Sequence, residues 1–228
     1  MKILAISTAE KECSIALMED TNPVCEEMWA AKQTHSKRIM DMVAHIMDRA
    51  SLSVNELDGF VVAKGPGSFT GLRIGISTIK GLAFAVSKPC AGISTLDGIA
   101  WQFSYSSLPV CVIMDAQRGE VYHATYNFKD GKLIKKSQEK ALKPLEVFKL
   151  LDKETLFAGS GSVAYQEIIK KEFKRKAKFA PLFQNKVRAS ALAHVLSQNP
   201  SLLNDKEDNI NSIAPEYLRK SDAEINIK

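Results

Sequence analysis

The 228-residue sequence predicts an α/β protein built of two related lobes. Three observations carry that expectation. Near the N-terminus and again near residue 110, three β-type runs separated by turn residues give way to alternating helical and strand-like segments. An apolar share of 45% at this length suffices for two modest cores. Tyr105-Ser106-Ser107-Leu108-Pro109 is polar and ends in proline, which sets the expected lobes at residues 1–104 and 105–228.

Taken in order, Ile3–Ile6, Ser14–Leu17 and Val24–Trp29 read as an antiparallel meander with turns at residues 8–12 and 20–23. Thr34 is the expected N-cap of a helix from His35 to about Ala50, with Ile39, Val43, Ile46 and Ala50 turned inward. A further apolar row, Met40, Ala44 and Met47, lies roughly 100° around that helix. Methionine is an adaptable residue favoured on binding surfaces. Phe60–Ala63 is a short strand, and Lys64-Gly65-Pro66-Gly67-Ser68-Phe69-Thr70-Gly71 turns from it into a helix reaching about Val86.

Glycine and a helix start together suit a phosphate, because the backbone can come close and N–H groups are available. The spacing of this loop nevertheless matches neither phosphate signature. The Walker pattern is absent, Thr70 stands where a dinucleotide fingerprint needs its third glycine, and no acidic residue lies between Arg73 and Leu96 to hold a ribose. No private nucleotide site is expected here.

The helix that follows is apolar on most sides. Leu72, Ile76, Ile79, Ala83 and Val86 form one stripe, Ile74, Thr78, Gly81 and Ala85 a second, and Arg73, Ser77 and Lys80 a narrow polar face. Gly71, Gly75 and Gly81 each cost roughly 0.5–1 kcal/mol against alanine in a helix, so they favour a place where backbones approach closely. Such a helix is covered on more than one side, by its own lobe or by a second protein.

Pro89–Ser94 is expected as a strand and Thr95–Phe103 as a helix that closes the first lobe. The second lobe has strands at 110–114, 121–128 and 132–137, a helix at 145–151 and a strand at 155–158. Gly159-Ser160-Gly161 then opens a helix to about Phe173, and a last helix spans 189–198. Residues 204–211 read as a polar linker before a short ordered segment, Ile213–Arg219.

The net charge of +5 is unevenly spread: residues 1–100 carry 10 Lys and Arg against 11 Asp and Glu, residues 101–228 carry 21 against 15. The densest basic run is Lys170–Lys178. A solvated helix end is its ordinary reading, and contact with nucleic-acid phosphates through Lys174, Arg175 and Lys176 is the functional one. No apolar run reaches the roughly 18 residues that span a membrane, and the N-terminus lacks a signal pattern, so a cytoplasmic location is expected. The four cysteines and four histidines are dispersed without metal-ligand spacing, and no nucleophile-and-base pattern stands out, so neither a metal site nor catalytic residues are expected.

At Lys64–Gly75 the chain resembles the TsaB family, also called YeaZ, the non-catalytic partner subunits of the bacterial machinery that makes threonylcarbamoyladenosine in tRNA. The match extends to Ile3–Thr8, Thr34–Arg38, Asp115–Tyr122 and Pro215–Arg219, nearly the whole chain. The resemblance implies a two-lobed actin/Hsp70/sugar-kinase-like (ASKHA) α/β fold with a reduced second lobe. It implies a dimer with a TsaD-type catalytic subunit through first-lobe helices, a homodimer when alone, a TsaE-type ATPase subunit in the assembly, and tRNA reached through the complex. The product would be N6-threonylcarbamoyladenosine next to the anticodon of tRNAs reading codons that begin with A.

On that reading Met40, Ala44, Met47, Gly71, Arg73, Ile74, Gly75 and Thr78 form the partner surface. Active relatives in the larger fold have an aspartate at the first turn to position metal and nucleotide, whereas this chain has Ser7-Thr8, and a neutral hydroxyl does not replace a carboxylate on Mg²⁺. The catalytic subunit's H-x-x-x-H pair has no counterpart in Ser94–Ala100. No cofactor of its own is expected; a nucleotide at the subunit interface stays open. The competing readings are a nucleotide-dependent or glycoprotease-like enzyme of the same fold, and a stand-alone tRNA-binding protein.

Overall fold

The computed structural model describes residues 1–30, 38–203 and 212–219. The chain divides into two units, residues 1–98 with 187–217, and residues 99–186 with 218–228.

In the first unit, β1 (Lys2–Ser7), β2 (Glu12–Glu19) and β3 (Asn22–Ala30) form the expected antiparallel meander. After α1 (Ile39–Arg49), β4 (Gly59–Gly65) adds parallel to β1. After α2 (Phe69–Ala85), β5 (Cys90–Ser94) adds parallel to β4, giving the order β3-β2-β1-β4-β5. Successive strand residues face opposite sides. Leu4, Ile6, Ile15, Leu17, Phe60 and Val62 pack with Ile39, Met42, Val43 and Ile46 of α1 and with Ile76, Ile79 and Ala83 of α2. The expected N-cap Thr34 lies outside the described residues.

Several of the alternate residues, Ala5, Ser14 and Ala16 among them, are small, and a helix from the far end of the chain lies on this face. Gly98, just inside α3 (Thr95–Ala100), comes so close that a Cβ there would stand 2.6 Å from Leu192 of this helix. That late helix (Ala189–Gln198) was expected in the second lobe, so the lobe boundary drawn at 104/105 differs from the structure. The physical reason is the match of a small-residue sheet face to a helix rich in alanine, which sequence order does not reveal.

The start of this helix is fixed by tertiary partners, because Arg188 at its N-cap makes no side-chain cap. Ala189 N–H donates to Ser14 Oγ (3.0 Å), and Ser190 N–H and Oγ–H donate to the Glu26 carboxylate (3.1 and 2.9 Å). Arg188 also binds Glu26 through Nε (2.9 Å) and the adjacent Nη2. A carboxylate at a helix N-terminus answers both the unpaired N–H groups and the dipole. Glu26→Ala is expected to lower stability by about 2 kcal/mol, and Glu26→Gln by about half of that. Urea midpoints at neutral pH check this; equal midpoints for all three proteins would reject it.

The second unit has a sheet in the order β11-β10-β6-β7-β8, with β9 also paired to β7. It comprises β6 (Val110–Asp115), β7 (Val121–Lys129), β8 (Lys132–Lys136), β9 (Lys140–Leu142), α4 (Pro144–Lys149), β10 (Thr155–Ala158), α5 (Ser160–Ala164), α6 (Gln166–Phe173) and β11 (Ala177–Phe179). The single helix expected from Gly161 to Phe173 is therefore two, breaking at Tyr165. The helix at 189–198 is α7. One sheet face buries Cys111, Ile113, Val121 and Phe157 under Val147 and Phe148 of α4 and Ile169 of α6. Phe157 meets Phe148, Phe173 and Phe179 edge-on or tilted, with ring centroids 5.1–6.1 Å apart. None of the described helices is long and apolar enough to cross a membrane.

Candidate partner surface and the closed glycine elbow

The elbow between β4 and α2 is held from three sides by the chain itself. Gly65 has φ +130 and precedes a cis peptide to Pro66. Ser68 caps α2, its Oγ accepting from Gly71 N–H (3.2 Å), while Ser68 N–H donates to the Ala9 carbonyl (2.7 Å). Thr8 Oγ–H donates to the Gly71 carbonyl at 2.7 Å. From the C-terminal segment, Glu216 N–H donates to the Lys64 carbonyl (2.7 Å), and its carboxylate pairs with Lys64 Nζ (3.0 Å). A Cβ on Gly65 would collide with the Glu216 carbonyl, one on Gly71 with the Thr8 carbonyl, and one on Gly75 with Thr8 Oγ1. Residues 8, 9 and 216 thus pack directly against the glycines of the loop that looks like a phosphate cradle in sequence.

Ser7 and Thr8, at the end of β1, are each 1% exposed. Among the described residues no three His, Cys, Asp or Glu side chains converge as a metal site would need. Burial pushes the thiols of Cys13 and Cys90 up to about 11 and that of Cys111 up to about 12, away from the thiolate that nucleophilic chemistry requires.

The residues expected on a partner surface separate into two sets. Met40, Ala44 and Arg73 are exposed, and Ile74 and Thr78 are half-buried. Met47, Gly71 and Gly75 are buried in this chain's own interior. Met47 stands roughly 40° around α1 from Val43, inside the arc that packs on the sheet, while Met40 lies beyond its edge. The glycines admit the backbone and side chain of Thr8 rather than a foreign helix.

The outward row of α2 holds residues that the helical stripes did not single out. Phe69 is 39% exposed and Phe84 77%. Spacing was the available signal: residues 69, 73, 77, 80 and 84 recur at i, i+4, i+8, i+11 and i+15, so the narrow polar face begins and ends in phenylalanine. Tyr217 joins that row from the C-terminal segment, stacking on Phe69 with centroids 4.9 Å apart. Lys174, Arg175 and Lys176 are exposed in a turn between α6 and β11, and Lys176 Nζ donates to the Asp152 carbonyl at 3.0 Å.

Comparison with known proteins first places the class. The fold is that of the Lmo2764 protein of Listeria monocytogenes, a candidate N-acetylmannosamine kinase, with TM-score 0.51 over 87% of this chain and 99% of that one at 9% identity. Residues 29–227 match the TsaD family, described as tRNA N6-adenosine threonylcarbamoyltransferase. These two likenesses define a two-lobed ASKHA-type protein of the TsaD group.

Within that class the nearer resemblance is narrower. YeaZ from Pseudomonas aeruginosa superposes with TM-score 0.79 over 95% of this chain and 99% of its own, at 25% identity. The Bacillus subtilis tRNA threonylcarbamoyladenosine biosynthesis protein TsaB is 31% identical over 227 residues, 98% of this chain and 96% of that protein. The chain belongs to the TsaB (YeaZ) family.

Proposed function

We propose that this protein is a non-catalytic subunit in the formation of N6-threonylcarbamoyladenosine on tRNA, binding a TsaD-type transferase through the outer faces of α1 and α2. One observation supports the reading: the glycines of the elbow are packed against Thr8, Ala9 and Glu216 of the chain itself, while the helix it opens leaves Phe69, Arg73, Ser77 and Phe84 outward. Effort in the sequence goes to a surface rather than to a reaction centre. The reading includes a homodimer in the absence of the transferase, a TsaE-type ATPase subunit in the complex, a cytoplasmic site of action, and any nucleotide held at the subunit boundary.

Size-exclusion chromatography of the chain with and without a TsaD-type subunit tests it, followed by reconstitution of the tRNA modification. Co-elution of the two proteins and dependence of the modification on both are expected. Because Phe84 is largely exposed, Phe84→Asp should leave the fold intact and weaken association about tenfold, the loss typical of one apolar interface contact made polar. Failure of the wild-type chain to associate rejects the reading. Association with Phe84→Asp unchanged moves the surface away from α2.

Within the same reading, the run at 174–176 supplies phosphate contacts to tRNA in the complex. Changing Lys174, Arg175 and Lys176 to Glu should then weaken tRNA binding at low salt without disturbing assembly. Unchanged affinity leaves the run as a solvated turn.

A further inference from the structure

We propose that Arg73 is a preset receptor for a carboxylate of the catalytic partner, and that Tyr217, 144 residues away in sequence, holds it ready. The inference rests on the partner-subunit reading and adds to it the residue that selects the partner.

The Arg73 guanidinium carbon lies 3.9 Å from the Phe69 ring centroid, so one face of its plane is covered. Its Nε donates to the Tyr217 hydroxyl at 3.1 Å. Tyr217 in turn stacks on Phe69, at an interplanar angle of 23°. The segment that brings Tyr217 is anchored by Ile213, 7% exposed in the first core, and by Glu216 on Lys64. Arg73 is exposed, and among the described residues no carboxylate forms an ion pair with it.

A guanidinium fixed by stacking on one face and hydrogen-bonded at Nε loses little rotamer freedom when its terminal nitrogens take a planar, bidentate acceptor. Carboxylate and phosphate both fit that fork. The carboxylate of an Asp or Glu is favoured because the cluster is continuous with Ser77 and Phe84 on one helix face, a mixed polar and aromatic strip of the kind found in protein interfaces. α2 itself contains no Asp or Glu that could compete for the site. A partner helix with an acidic residue opposite Arg73 would be accepted, and one with Lys or Arg there refused.

Calorimetric titration of the TsaD-type subunit into wild-type chain and four variants tests this at about 50 mM and about 300 mM salt, values that bracket ordinary screening. Arg73→Glu should raise Kd about 100-fold, and Arg73→Lys about tenfold, because lysine keeps the charge and loses the fork. Tyr217→Leu should raise Kd about tenfold, whereas Tyr217→Phe, which keeps the stack, should raise it only about threefold. Changing the matching acid of the partner to Arg should restore binding to the Arg73→Glu chain.

If Arg73→Glu binds within about twofold of wild type while Phe84→Asp is weakened, the inference falls and the partner reading survives. If neither variant is weakened, both fall. Normal subunit affinity combined with loss of nucleotide or tRNA binding by the Arg73→Glu complex would assign the fork to phosphate and overturn the proposal.

Discussion

Gly75→Leu is expected to abolish the native fold, lowering stability by about 4 kcal/mol or more through overpacking and loss of a buried hydrogen bond. A Cβ at this position would run into Thr8 Oγ1 and stand 3.4 Å from Val62 Cγ2, before the rest of a leucine is placed. Thr8 is 1% exposed, and its hydroxyl is committed to the Gly71 carbonyl, so moving it aside leaves buried polar groups unpaired. Gly75 is therefore a fold position and no reporter of partner binding. Gly81 supplies the contrast, since nothing lies within 4 Å of a Cβ built there, and Gly81→Ala should gain roughly 0.5–1 kcal/mol from helix propensity. Thermal and urea unfolding followed by circular dichroism separates the two, and a Gly75→Leu chain melting near the wild-type temperature would show that α2 does not lie this close to the first turn.

His123 should make stability fall with acid. It sits on β7, 3% exposed, and neither ring nitrogen meets a hydrogen-bonding partner among the described residues. Burial, with a smaller contribution from the charge of Lys140, lowers its pKa from 6.5 to about 4. Above pH 6.5 the imidazole is neutral in both states and contributes no pH dependence. Between 6.5 and about 4 the unfolded chain binds the proton and the folded chain does not, so unfolding is favoured as pH drops. The loss across that window is about 3 kcal/mol. His123→Phe should remove this part of the slope and be neutral or stabilising at pH 7, because an unpaired buried polar group is replaced by an apolar one of similar shape. Parallel pH profiles for wild type and variant would refute the assignment.

Much of the fold was legible because its signals are local. The meander at residues 2–30, the strand and stripe of 59–85, and the core row Leu72, Ile76, Ile79 and Ala83 follow from period and turn residues. What escaped depended on long-range partners. β9 and β11 are three-residue strands with a lysine in each, too short to show alternation and suited to places where pairing needs little length. The glycines of α2 announced a close approach without naming Thr8 as the neighbour. Nothing within residues 213–219 shows that Tyr217 reaches Phe69, and the exposed Phe84 was masked by the apolar character of its whole helix.

The return of α7 to the first sheet bears on how the chain is made. On the ribosome, β1 to β5 emerge with α1 and α2 and can close one face of their sheet. The other face, lined by Ala5, Ser14 and Ala16, waits until residues 189–198 have been added. At roughly 5–20 residues per second, the hundred or so intervening residues take several seconds. Throughout that interval the nascent first unit presents a half-covered sheet, exposed to self-association until α7 arrives.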